Sequence, residues 1–425
     1  MENTITPRLL FADRQGNICD HPDLAMLAAS GDQLVFPAPD DLIPLPPGSR
    51  FFYLPQCPPL AWDDELEQVV CLDELDAGEP CFGVSAFLPP AYTRLLLPAV
   101  SYADKDYQLP LWAYTAVGWS PEINNYVVAA RRVDENRQWE PDRFDDREVV
   151  AGVERQLARF PDNRLVHHLR RCALEDHCFA AKNFFLGRWE CPLPVSPVCN
   201  ARCLGCLSWQ PEGGFDASQD RIDFVPSVDE LLQVALAHLE VAENPVLSFG
   251  QGCEGDPILQ AETICAFARR LRVEADGGTL NVNTNASLPE KVAAMAAAGM
   301  DSIRVSMNSP RKSTYLAYYR PRGYTFENVL TSLRSAKEGG LHLALNLLVM
   351  PGVTDAPEEV EALLGLIGEY EIDQVQMRNL NIDPRLYLET VGATGEGAIG
   401  IGGLLDLLTA EFPGLEIGYF NRYLG

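Results

Sequence analysis

Basic residues are the scarce charge in this chain. The 33 lysines and arginines stand against 60 aspartates and glutamates, a net charge of −27 over 425 residues. So acidic a protein repels polyanions, and neither nucleic acid nor an anionic membrane is expected as a partner, with Arg311–Lys312 and Arg320–Arg322 as local exceptions. No apolar run approaches the ~20 residues that cross a bilayer. The opening MENTITPRLLFADR lacks the basic-then-apolar pattern of a secretory signal, so a cytoplasmic protein is expected. Repeats and low-complexity segments are missing too. Of C-x2-C pairs there is one where a structural zinc module commonly has two. Twelve cysteines without a secretory signal argue for metal ligation or buried thiols over a disulfide framework.

What is present divides the chain. Half of the 32 prolines fall in residues 1–121, and proline removes a ladder donor and disfavours helix interiors, so short strands and turns are expected there. From 145 to 185 the spacing turns helical, through Val149, Val153, Leu157, Leu165, Leu169 and Leu174. Residues 1–185 therefore read as an α+β domain. After 186 strands and helices alternate, with strands expected at 190–198, 246–249, 279–285, 302–306, 341–350 and 372–377. Ser227-x-x-Glu230, Ser287-x-x-Glu290 and Asp355-x-x-Glu358 are capping boxes for three of the intervening helices. Repeated βα units imply a parallel sheet with right-handed crossovers and a site at the carboxyl ends of the strands. Six units predict a partial (β/α)6 barrel over 186–385, followed by an extension, 386–425, packing on it.

The chemistry is announced by Cys199, Cys203 and Cys206 in C-N-A-R-C-L-G-C. Thiolates are soft ligands for zinc or iron–sulfur clusters, and three on one loop leave one iron of a cubane without a protein ligand. Completion of a zinc site by Cys191 or Cys253, in a noncatalytic module for structure or electron transfer, is the competing reading. The C-x3-C-x2-C run resembles the signature of the radical S-adenosylmethionine (SAM) superfamily. The resemblance covers residues 186–380. It implies a partial (β/α)6 barrel and a [4Fe–4S] cluster held by Cys199, Cys203 and Cys206, whose fourth iron chelates SAM. It also implies reductive cleavage of SAM to a 5'-deoxyadenosyl radical that abstracts hydrogen from a small-molecule or peptide substrate, and an external one-electron donor such as flavodoxin or ferredoxin. An activase for a glycyl-radical partner is an alternative within the class.

Other strand ends agree. Gly250-Gln-Gly-Cys-Glu-Gly-Asp-Pro257 resembles the family's Gly-Gly-Glu-Pro segment, which binds the SAM amino group. Gly252, Glu254 and Asp256 are the candidates there, Asp256 preferred because it keeps the Gly-acid-Pro register. Asn283, Asn285, Ser306 and Asn308 end the third and fourth strands, where the resemblance implies contacts to the SAM ribose and carboxylate. Asn346 reads as a buried amide. The family's aromatic before the third cysteine is here Gly205, so stacking falls to another residue, with Trp209 nearest in sequence. Cys172, Cys178 and Cys191 match no auxiliary-cluster spacing and read as buried thiols. The chain has no D-x-H-x-x-G, which argues against a cobalamin-dependent methyltransferase. No residue is assigned to the hydrogen-abstraction step.

Overall fold

The computed structural model describes residues 7–75, 78–211 and 215–425; the first six residues, read above for a targeting signal, lie outside them. The proline-rich part builds an antiparallel sheet of ten short strands. Its hairpins include Val117–Ser120 with Asn125–Arg132, and Leu10, Val84, Ala86, Val117 and Val128 form a core of its own. Among the described residues no helix is long and apolar enough to cross a membrane.

Three helices follow: α1 (Asp146–Arg159), α2 (Arg164–Leu174) and α3 (Phe179–Leu186). Asp145 and Asn163 cap the first two by accepting backbone N–H bonds. Their buried faces, including Val149, Val153, Leu165 and Leu169, belong to the same core as the strands that come next.

Those strands are β1 (Glu190–Pro192), β2 (Val246–Phe249), β3 (Thr279–Thr284), β4 (Ser302–Met307), β5 (His342–Val349), β6 (Gln374–Asn379) and β7 (Glu416–Gly418). Each pairs in parallel with the next, making a seven-stranded curled sheet. Helices α4 (Val228–Leu239), α5 (Ala261–Glu274), α6 (Pro289–Ala297), α7 (Lys312–Tyr319), α8 (Phe326–Glu338) and α9 (Pro357–Tyr370) come between them. After β6 come α10 (Pro384–Val391) and α11 (Ile401–Glu411).

Four details differ from the sequence reading. The extension supplies a seventh strand, β7, beyond the six read from periodicity. β1 stops at Pro192, because prolines at 192, 194 and 197 withhold ladder donors. Ser287 does not cap α6, whose cap position is Leu288; the Ser287 hydroxyl instead accepts from Asn200 at 2.8 Å. Asp355 does not cap α9 either, since its carboxylate accepts from the Gly352 amide at 2.7 Å. The box at Ser227 and Glu230 forms as read.

Polar side chains are laced across the concave face of the sheet. Asn281 Nδ2 donates to Ser248 Oγ at 3.3 Å and Ser302 Oγ donates to Asn281 Oδ1 at 2.8 Å. Arg304 Nη1 donates to Gln376 Oε1 at 2.9 Å. The segment after β7 closes the floor: Asn421 Nδ2 reaches Glu190 at 2.9 Å while its Oδ1 accepts from Gln376 at 3.3 Å, so one side chain bridges β1 and β6. Leu424 N donates to Thr279 Oγ1 at 2.7 Å.

The amino-terminal sheet sits at the opposite end, over the carboxyl ends of β5 and β6. Arg94, fully buried, donates to Val349 O at 3.0 Å, Leu380 O at 2.9 Å and Tyr114 O at 3.3 Å. Asp383 accepts from Tyr102 Oη and from Leu109 N, each at 2.8 Å.

Candidate functional site

The cysteine loop, the glycine-rich loop after β2 and the end of β3 meet at the carboxyl ends of the first three strands. Glu254 joins the first two. Its Oε2 accepts from Val195 N (2.8 Å) and Ser196 N (3.0 Å), and its Oε1 from Gly250 N (2.7 Å) and Gln251 N (2.8 Å). Burial pushes the carboxyl up to about 7 against the pull of these donors. Asp256 joins the second loop to β3. Its Oδ1 accepts from Thr284 Oγ1 (2.6 Å) and Ile258 N (3.1 Å), its Oδ2 from Asn285 N (2.7 Å), and burial raises this carboxyl too. Both acids, expected from sequence to face a ligand ammonium, thus spend all four oxygens on the chain itself.

The glycines are where the chains touch. Gly250 has φ +82, and a Cβ there would lie 1.8 Å from Asn283 O; at Gly255 it would lie 1.9 Å from Val198 O. At Gly252 a Cβ would meet only the side-chain end of Gln219, at 2.4 Å.

Of the predicted contacts, Asn283 Nδ2 donates to Gly250 O at 3.1 Å and Asn285 Nδ2 to Asn200 Oδ1 at 2.8 Å, so both lie in this assembly. Ser306 Oγ accepts from Asn346 Nδ2 at 3.3 Å on the concave face. Asn308 is placed apart: its amide nitrogen serves Thr314 O at 3.1 Å and Tyr387 Oη at 3.0 Å, and its buried Oδ1 has no partner.

Cys199, Cys203 and Cys206 are all half-buried. Burial first, then the Asp256 carboxylate, pushes Cys199 up to about 12; burial and its two sister thiols push Cys203 well above the ordinary range. Metal binding would displace those protons. Donors already face the sulfurs: Ala201 N lies 3.4 Å from Cys199 Sγ and Arg221 Nη2 3.6 Å from Cys206 Sγ. Among the described residues the one trio whose ligand atoms lie within 4.8 Å of each other is His168, Cys172 and Cys253. At least one pair of the loop thiols is therefore farther apart than that, and Cys253 lies with the other trio. Nor do Cys172, Cys178 and Cys191 make such a trio. The donor set fits a cluster with three protein ligands.

Sequence reasoning missed three parts. Asn200, between the first two cysteines, bonds both Asn285 and Ser287; its polarity inside the motif was the available signal. Arg221, beside Cys206, carried none. Tyr318 on α7 fills the space beside Gly205: a Cβ there would lie 3.0 Å from Asn381 O and 3.1 Å from Tyr318 Oη, which leaves an aromatic no room. Trp209 instead lies beneath the guanidiniums of Arg202 (5.2 Å) and Arg221 (6.0 Å). It faces a cavity of about 570 Å³ beside Cys203 that Arg320 and Arg322 also line, with no acid among its described lining residues.

The family model of the radical SAM superfamily matches residues 193–367, which span β2 to β5, the cysteine loop and the helices between them. Residues 193–367 are a radical SAM superfamily domain. Radical SAM proteins are enzymes that use a [4Fe–4S] cluster and SAM. This one is 28% identical over 170 residues to GTP 3',8-cyclase 2 of Pseudomonas aeruginosa, covering 38% of this chain and 46% of that one. It is 26% identical over 232 residues to GTP 3',8-cyclase of Streptomyces coelicolor, covering 53% and 62%. The match therefore takes in about half the length of these relatives. Among solved structures it resembles HydG, a maturase of the [FeFe]-hydrogenase (15% identity, TM-score 0.39, 64% of this chain and 62% of that one), and methylornithine synthase (14%, 0.37, 64% and 74%).

Proposed function

We propose that this radical SAM protein cleaves SAM reductively and acts on a small, anion-bearing substrate held inside the barrel. Cys199, Cys203 and Cys206 are the cluster ligands in this reading. When bound, the cluster supplies an electron that yields a 5'-deoxyadenosyl radical able to abstract hydrogen. The observation that carries the reading is the lacing of the cysteine loop, the glycine-rich loop and the β3 end into one body through Asn200, Glu254 and Asp256. The rigid backbone around Gly252, with Asn283, Asn285 and Ser306, is the proposed SAM cradle. Glu254 and Asp256 hold it in place, and Asn308, turned towards α7 and α10, supports it from outside.

The substrate reading rests on Arg304. Its guanidinium lies on the concave face, its buried Nε has no partner, and burial together with neighbouring Arg378 lowers it to about 9, with Glu190 the opposing acid. A carboxylate or phosphate there would relieve two like charges at once. The basic cavity beside Cys203 suits an acidic one-electron donor of the flavodoxin or ferredoxin kind, since the rest of the protein repels one.

Anaerobic incubation of the reconstituted protein with SAM and dithionite should release methionine and 5'-deoxyadenosine. Release should rise with an anionic small molecule from a panel headed by GTP, because relatives are GTP cyclases. A full cubane with no SAM turnover would overturn the catalytic reading, and stimulation by peptides alone would overturn the substrate reading.

A further inference from the structure

A second metal-ligand cluster lies on the other side of the glycine-rich loop. His168 and Cys172 are one turn apart on α2 and so face the same way. Cys253 approaches them from the loop after β2. All three are buried, at 8%, 1% and 4% exposure, and their ligand atoms lie within 4.8 Å of one another. Cys172 Sγ is 3.5 Å from His168 Nε2.

We propose that His168, Cys172 and Cys253 bind one zinc ion, with Asp176, whose carboxylate lies outside the 4.8 Å trio, turning in as the fourth ligand, and that this ion ties α2 to the loop carrying Glu254 and Asp256. Zinc bonds of about 2.3 Å to sulfur and about 2.0–2.1 Å to imidazole nitrogen, at tetrahedral angles, set the S···N distance at roughly 3.5 Å. The observed separation is that distance. Two thiolates and an imidazole are a donor set suited to zinc; the two thiolate charges cancel the ion's, and the single charge left by Asp176 falls on its partly exposed side chain. Asp176 adds an independent sign. Its Oδ2 is buried with no hydrogen-bond partner, and its charge acts on both Cys172 and His168. The Cys178 N–H to Cys172 O bond, 2.9 Å, folds the chain after α2 back on the helix end, so a side-chain rotation is what the Asp176 carboxylate needs to reach the ion.

The site is a positioning one, since none of the four side chains is a proposed SAM contact. Cys253 is bonded in sequence to Glu254, whose four backbone contacts define the cradle, so the ion would fix the loop from its outer side.

The test uses the full-length protein, purified and reconstituted anaerobically, with zinc and iron counted together and the zinc environment read by X-ray absorption. About one zinc per chain is expected, with two sulfurs near 2.3 Å and two N/O atoms near 2.0–2.1 Å, alongside about four irons. Cys172→Ser and Cys253→Ser should each lower zinc at least tenfold and leave iron unchanged. Cys57→Ser, a buried thiol beside Asp383, should leave both. Asp176→Asn, on a partly exposed side chain, should keep the fold and release zinc to a chelator faster. Wild-type protein without zinc, a shell of four sulfurs, zinc retained in both serine variants, or a Cys172–Cys253 disulfide in a non-reduced digest would each overturn the proposal. Because iron and zinc are counted separately, failure here is distinguishable from failure of the cluster assignment.

Discussion

On the β1–β3 side of the barrel mouth, the polar groups are satisfied by the three segments that form the site. Glu254 takes four backbone N–H groups from two loops, and Asn200 bonds the β3 end. On the β5–β6 side the strand ends and the Asp383 cap that follows them are satisfied from outside, by Arg94 of the amino-terminal sheet and by Tyr102 and Leu109 of a loop between its strands. The first side keeps its shape through its own hydrogen bonds, while the second keeps it only while the sheet is docked. Damage should therefore stay local on one side and spread on the other.

The largest effect should come from the first side. Replacing Cys199, Cys203 or Cys206 by alanine should take iron from about four per chain to near none and abolish 5'-deoxyadenosine formation, with the thermal midpoint little changed. A full cubane in any one of them would remove that residue from the ligand set.

Arg94→Met probes the second side. It leaves the carbonyls of Leu380 and Tyr114 without their buried donor, each costing about 1–3 kcal/mol, while Val349 O keeps the Leu380 N–H at 3.1 Å. Denaturant titration should show a loss of at least ~2 kcal/mol. A loss below the range for one such carbonyl would mean that the two sheets stay docked without the guanidinium.

Next is Gly250→Ala. Its positive φ and the 1.8 Å approach to Asn283 O force the loop to move, whereas Gly323, also at positive φ (+78), has nothing within 4 Å. SAM affinity, read by calorimetry on iron-replete protein, should fall about tenfold or more in the first, a cost of at least ~1.4 kcal/mol, and hardly at all in Gly323→Ala.

The two acids sharpen the comparison further. Sequence register favours Asp256 as the ligand-facing acid, but Glu254 has more to lose. An amide at 254 would turn an NH2 toward two backbone N–H groups. Asparagine in place of Asp256 can keep its oxygen on Asn285 N, so that its NH2 faces only one backbone N–H, that of Ile258, while Thr284 rotates its hydroxyl to accept. Glu254→Gln should weaken SAM binding by about tenfold, ~1.4 kcal/mol, and Asp256→Asn by less. The reverse order would restore Asp256 to direct contact.

The smallest effect lies away from both sides. His238 is buried and held to about 4, its Nε2 3.1 Å from Trp189 O. The unfolded chain takes up this proton first, near pH 6.5. Stability contributed by neutral His238 is thus complete above that pH and is lost progressively as pH falls to about 4. His238→Gln should flatten the denaturation midpoint between pH 7 and 5 relative to wild type.

The same division governs what could be read in advance. The β1–β3 side is written in cysteines, glycines and asparagines at strand ends, residue types whose chemistry is visible one at a time. Arg94 sits in Thr-Arg-Leu-Leu-Leu, which gives no sign that its partner Leu380 lies 286 residues away. Helix caps failed where another partner competed: Ser287 accepts from Asn200 and Asp355 from Gly352, so neither side chain serves the helix that follows. β7, three residues long, is too short to carry a period. His168 was missed because its companion Cys253 comes from another element, and a helical His–Cys pair alone says little.

The segment across the barrel floor bears on the order in which the molecule can be made. Glu190 emerges from the ribosome 231 residues before Asn421, and Thr279 waits 145 for Leu424. Contacts of such span form slowly and late. Until that segment arrives, a nascent chain with its first strands already paired presents an open ring of amides and carboxylates from below. The barrel is sealed by residues made after every strand they cover, and a chain stalled or clipped ahead of them would leave its concave face open to water.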